Sequence, residues 1–65
     1  MTHDQTYEFA CKKLRETESA ILVRDHERGD LWFPLSCVHE MHFHAKTGDG
    51  TIIVDEWIAR KKGLL

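Results

Sequence analysis

Three of the five histidines and one of the two cysteines of this 65-residue chain lie in Cys37-x-His39-x-x-His42-x-His44. Imidazole and thiolate are the ligands zinc prefers, and on an extended strand His42 and His44 point the same way, as two ligands from one element must. His39 or Cys37, from a preceding turn, would add a third. Strand alternation opposes this by turning His39 away from His42, and the paired spacings of structural zinc sites, such as C-x2-C, are absent. The expectation is three histidines on the solvated face of a sheet, with no bound metal or other cofactor. His39-Glu40-Met41-His42 misses the metalloprotease H-E-x-x-H by one residue, and the segment reads as strand, which lacks the helical i, i+4 geometry that motif needs. A nucleophilic Cys11 or Cys37 beside a histidine needs a pocket of roughly 300 Å³ or more, and so short a chain has little interior to build one. No enzymatic activity is expected.

Charge is the second chemical feature. The net charge is -2, yet from Glu16 to Glu56 nine carboxylates face only Arg24, Arg28 and Lys46, so the middle of the chain carries 3 - 9 = -6. Lys12, Lys13 and Arg15 on one side and Arg60, Lys61 and Lys62 on the other restore the balance. An acidic body suits a basic partner, which long-range attraction would steer and shape would select. Glu16, Glu18, Asp25, Glu27, Asp30, Glu40 and Asp49 are the candidate partner-binding residues, most of them near turns and strand ends, with Phe9 as an apolar contact if it stands outside the core. The competing reading uses the two basic clusters to hold single-stranded nucleic acid, with Trp32 or Phe33 stacking on bases. Both tryptophans have a plainer assignment as core residues.

The elements that must carry these groups follow from periodicity. Tyr7, Ala10, Cys11 and Leu14 fall at i, i+3, i+4 and i+7, which predicts a helix from Asp4 to Glu16, capped by Asp4 or by Thr2 with Gln5. Phe9 lies off that stripe. The β-branched run Ala20-Ile21-Leu22-Val23 predicts a strand, the cluster His26 to Asp30 a turn with Gly29 at positive φ, and Leu31-Trp32-Phe33-Pro34 the returning strand of a hairpin. Pro34 cannot donate to a ladder, so Leu35 to Val38 is expected to turn the chain. Extension resumes at His39 or Glu40, with Met41 and Phe43 on one face and Glu40, His42 and His44 on the other. Ala45 to Gly50 predicts a second turn and Thr51-Ile52-Ile53-Val54 another strand. Asp55 can cap a short helix from Glu56 to Lys62, stopped by Gly63. The expected fold class is α+β: an N-terminal helix packed on a three- or four-stranded antiparallel sheet, then a short C-terminal helix, in one domain spanning residues 1–65. With one cysteine pair and no dense spacing, two reduced, packed thiols are expected. No apolar run approaches the roughly 18 residues of a membrane helix, and the polar start lacks the basic and apolar regions of a signal peptide, so a soluble cytoplasmic protein is expected.

Ala20-Ile21-Leu22-Val23, Leu31-Trp32-Phe33-Pro34-Leu35-Ser36, Gly50-Thr51-Ile52-Ile53-Val54 and Glu56-Trp57-Ile58-Ala59-x-Lys61-Lys62-Gly63-Leu64 resemble a group of short phage and prophage proteins. These share an apolar strand, an aromatic-x-Pro-x-Ser segment and a closing Trp-apolar-Ala helix ending in Gly-Leu. The histidines from His39 to His44 depart from that pattern, where polar or acidic residues are more usual. Small phage proteins of this architecture and charge also resemble anti-CRISPR proteins, some of which imitate the phosphate backbone of DNA. The resemblance implies an inhibitor that acts by binding a type I surveillance complex, with an acidic surface set against a basic DNA-binding groove of the host's defence machinery. On that reading the protein is a monomer in the cytoplasm of a bacterial host and contacts neither membrane nor nucleic acid directly. The alternatives are a phage DNA-metabolism accessory that touches single strands, and a small zinc-stabilised module using His42 and His44.

Overall fold

The computed structural model describes residues 5–65. Its first element corrects the expected N-terminal helix. Residues Thr6–Glu16 form an 11-residue strand, β1, and the proposed caps Thr2 and Asp4 lie outside the described residues. Tyr7, Phe9 and Cys11 recur at every second position and turn inward, while Glu8, Ala10 and Lys12 turn outward. Phe9, off the helical stripe, is on the strand stripe. It is buried in the core at 9% exposure, which corrects its candidacy as an exposed contact residue.

Four further strands follow: β2 (Ala20–Asp25), β3 (Gly29–Pro34), β4 (Val38–Phe43) and β5 (Asp49–Asp55). The expected hairpin is β2–β3, with Gly29 at φ 78° in its turn. A single 3-10 turn, Leu35–Cys37, redirects the chain after Pro34. A six-residue helix, α1 (Glu56–Lys61), closes the chain, with Asp55 at its N-cap position. The architecture is a five-stranded antiparallel sheet in the order β3-β2-β1-β5-β4, with one short C-terminal helix.

β1 is central because each hairpin has an open edge that needs a partner. Its first half, Thr6 to Lys12, pairs with β5, and its second half, Lys12 to Glu16, pairs with β2, with a register shift between Lys13 and Arg15. The shift marks where the sheet bends. Phe33 pairs with Ile21, and Ile21 with Glu16, so on a flat sheet Phe33 would sit level with a residue 16 - 9 = 7 positions beyond Phe9. That separation is roughly 23 Å along the strands, and two strands add sideways distance. The two rings are instead 5.8 Å apart, centroid to centroid, so the sheet curls until its halves face each other.

The concave side holds the core, where Ile21, Val23, Phe33, Ile52 and Val54 are fully buried. Ile58 and Ala59 of α1 cover it, and Lys62 Nζ lies 5.9 Å from the centre of the Phe33 ring. The end of the chain is tied down by Arg28, whose Nε donates to the Gly63 carbonyl. Trp32 and Trp57 correct the expectation that both tryptophans are core: they are 41% and 48% exposed. Among the described residues, no helix is long and apolar enough to cross a membrane.

Candidate functional site

The seven carboxylates proposed for a partner surface are divided among different turns and edges of the sheet, and most are paired. Glu16 accepts from Lys13 Nζ at 2.9 Å, and Asp30 from Arg24 Nε at 2.9 Å. Asp25 caps the β2–β3 turn by accepting the N–H groups of Glu27 and Arg28, both at 3.1 Å, and its Oδ2 is 3.7 Å from the Arg28 guanidinium. Glu27 lies 3.1 Å from the same guanidinium. Glu40 contacts His42 Nε2 at 2.7 Å. Glu18 is exposed in the β1–β2 turn, and Asp49 stands across from Lys12 at the start of β5. Glu16 and Glu18 flank one turn; Asp25, Glu27 and Asp30 flank another; Glu40 lies on the β4 edge. They do not form one border.

His39, His42 and His44 are all exposed, as expected, but His39 does not keep the strand alternation. A register shift between Val38 and Glu40 breaks the alternation at His39, so that His39 and Glu40 are successive exposed residues. His39 Nε2 meets Asp55 Oδ1 at 2.5 Å. His44 Nδ1 accepts the backbone N–H groups of Lys46 and Thr47 at 3.2 and 3.4 Å, which leaves the ring proton on Nε2. Among the described residues, no three His, Cys, Asp or Glu side chains are grouped to hold a metal ion.

Cys11 and Cys37 are buried thiols. Burial, with a smaller contribution from the Asp25 charge, pushes the Cys11 thiol up to about 11. At neutral pH it is protonated and a poor nucleophile.

The convex face of the sheet brings together a different set of residues. Arg15, Leu22 and Trp32 stand opposite one another on β1, β2 and β3. Beside them runs a second cross-strand row of Lys12, Arg24 and Asp30, with Asp49 on the other side of Lys12. Neighbouring strands are roughly 4.8 Å apart, so the indole, an aliphatic side chain and three cations share one small surface. Asp30 is the carboxylate within that half of the face. By hydrogen bond and charge it holds the Arg24 guanidinium above its usual pKa. The other half, on β1, β5 and β4, has Glu8, Ile53 and Glu40 in one row. The convex face is thus cationic and aromatic at one end and acidic at the other.

A helix over Asp4 to Glu16 would place Lys12 and Arg15 at its end and apart from this grouping. The signal for it lay in the two-residue alternation of Tyr7, Phe9 and Cys11, which assigns Glu8, Ala10 and Lys12 to the opposite face. No known protein family, no curated protein and no solved structure matches this chain.

Proposed function

We propose that the protein is a small non-catalytic module that binds single-stranded nucleic acid on the convex face of β1, β2 and β3. The observation that carries this reading is the 41% exposed Trp32, level with Arg15 across Leu22 and beside the Lys12–Arg24 row. A base stacks on an exposed indole without regard to its identity, and cations within a strand or two neutralise the neighbouring phosphates. Such a module would suit a phage DNA-metabolism accessory.

The acidic-decoy reading, an inhibitor of a type I CRISPR surveillance complex, has less support. A surface that imitates a phosphate backbone needs regularly placed, available negative charge. Here Glu16, Asp25, Glu27 and Asp30 already face Lys13, Arg28 and Arg24. Forming a complex through them would break those pairs, which are themselves weak at an exposed surface.

The test uses Trp57→Phe as background, leaving Trp32 as the only indole. Titration with an oligothymidylate at low salt is expected to quench the remaining fluorescence and to retard the oligonucleotide in a gel. Trp32→Ala in the otherwise unaltered protein should weaken binding by about 5- to 150-fold, the range that follows from about 1–3 kcal/mol of stacking per base. Equal binding by Trp32→Ala and the unaltered protein, or no binding at low salt, refutes the assignment.

A further inference from the structure

Where β1 shifts register, the β4–β5 turn is drawn against it. Lys13 N donates to the Gly48 carbonyl at 2.8 Å, and a Cβ added at Gly48 would lie 2.9 Å from the Lys13 carbonyl oxygen. The contact leaves an open groove of about 350 Å³ bordered by Lys13, Leu14, Phe43, His44, Lys46 and Thr47. Its lining residues include two lysines, a histidine and a threonine but no Asp or Glu. The turn satisfies its own backbone: Gly48 N donates to His44 O at 2.8 Å, and Asp49 N to Thr47 Oγ1 at 3.2 Å. His44 Nδ1 is occupied by two backbone N–H groups, so the proton sits on Nε2 and that nitrogen is a donor. Glu16, which is not among the lining residues, pairs with Lys13 Nζ at 2.9 Å.

From this we infer that the groove binds the phosphate monoester of a single nucleotide, with Lys46, Lys13 and His44 Nε2–H toward the phosphate and the base against Leu14 and Phe43. Two lysines and a histidine with no Asp or Glu among the lining residues favour an anion, because hydrogen bonds between ionised donors and an anionic acceptor are roughly twice as strong as neutral ones. The volume is at the lower end of small-ligand sites, which suits one nucleotide better than a longer ligand. The phosphate can come from a free nucleotide or from the phosphorylated end of a strand. The second source extends the strand-binding reading and rests on it; the first does not.

The experiment follows the backbone amide signals of Lys46, Thr47 and Gly48 by NMR during titration with AMP, adenosine and inorganic phosphate. AMP is expected to shift these signals with a dissociation constant on the order of 1 mM or tighter, and adenosine to bind at least about tenfold more weakly because it lacks the charge-assisted contacts. Lys46→Ala should weaken AMP at least about fivefold, and Lys46→Arg should restore most of it, because a charge-assisted hydrogen bond is made and remade. Inorganic phosphate should shift the same amides more weakly than AMP. Adenosine matching AMP, an unchanged affinity in Lys46→Ala, or still amides at about 10 mM AMP overturns the proposal. Oligonucleotides with a phosphate or a hydroxyl at each end separate the sources. Tighter binding of phosphorylated ends, lost in Lys46→Ala, assigns the groove to strand ends; AMP binding with no dependence on the end assigns it to free nucleotides. If no oligonucleotide binds, the strand reading fails while the AMP result stands.

Discussion

Gly48→Ala tests the contact that seats the β4–β5 turn against β1 beside the groove, and Gly29→Ala is its control. Both glycines sit at positive φ, 80° and 78°, so each substitution forces alanine into the left-handed region at a cost of about 1–2 kcal/mol. At Gly29 nothing lies within 4 Å of the added Cβ, so that strain is the whole effect. At Gly48 the Cβ would meet backbone, the Lys13 carbonyl oxygen at 2.9 Å, where no flexible side-chain end can give way. The turn must back away from β1 and weaken the 2.8 Å hydrogen bond from Lys13 N to Gly48 O, adding about 1–2 kcal/mol. Gly48→Ala is therefore expected to lose about 2–4 kcal/mol and Gly29→Ala about 1–2 kcal/mol. For a domain with roughly 0.05–0.15 kcal/mol of stability per residue the first is a large fraction of the total. In urea, with a slope of about 1 kcal/mol/M for so small a protein, the midpoint of Gly48→Ala should fall by about 2–4 M, against about 1–2 M for the control. A Gly48→Ala midpoint equal to or above that of Gly29→Ala refutes the idea that the turn is clamped on the β1 bend.

Phe33→Ala removes the largest fully buried side chain and its contact with Phe9, costing about 3–5 kcal/mol; circular dichroism should show a protein mostly unfolded at 37 °C. Oligonucleotide affinity should fall with salt at a log–log slope of about -2 if Lys12, Arg15 and Arg24 all neutralise phosphates, and about -1.4 if Arg24 stays with Asp30; a slope near zero refutes phosphate contact by this face. Cys11 bears on alkaline stability: its folded pKa of about 11 exceeds the ordinary 9.0, so the folded state holds the proton more tightly. Its contribution is complete below pH 9.0 and is lost as pH rises through about 11, a fall of at most about 2–3 kcal/mol that Cys11→Ala should abolish in urea titrations across that window.

Four strands, both glycine turns, the redirecting turn after Pro34 and the closing helix are legible in the sequence because their signals are local. A β-branched run, a glycine at a tight turn and a proline that cannot donate each act within a few residues. The N-terminal segment is ambiguous because Tyr7, Ala10, Cys11 and Leu14 match a helical face while Tyr7, Phe9 and Cys11 match a strand face. Local pattern cannot arbitrate between two valid periods. The arbiter is long-range: β2 and β5 each present an unpaired edge, and only residues Thr6–Glu16 satisfy both, by pairing one half with each.

That one assignment decides where the functional chemistry can lie. On a helix, Lys12, Lys13 and Arg15 crowd the last turn, complement the dipole and leave the acidic residues to define the surface. On a strand they separate: Lys12 and Arg15 go to the convex face with Arg24 and Trp32, while Lys13 turns to Glu16 and the groove. The acidic middle of the chain is real as a count, but charge along the sequence says nothing about pairing across a sheet. Strand register places Arg24 against Asp30, and the β2–β3 turn places Arg28 against Asp25 and Glu27, so two arginines face three of the seven candidate carboxylates. What remains unbalanced on the β1–β2–β3 half of the convex face is positive and carries an exposed indole, and that favours an anionic polymer over a basic protein groove as the ligand.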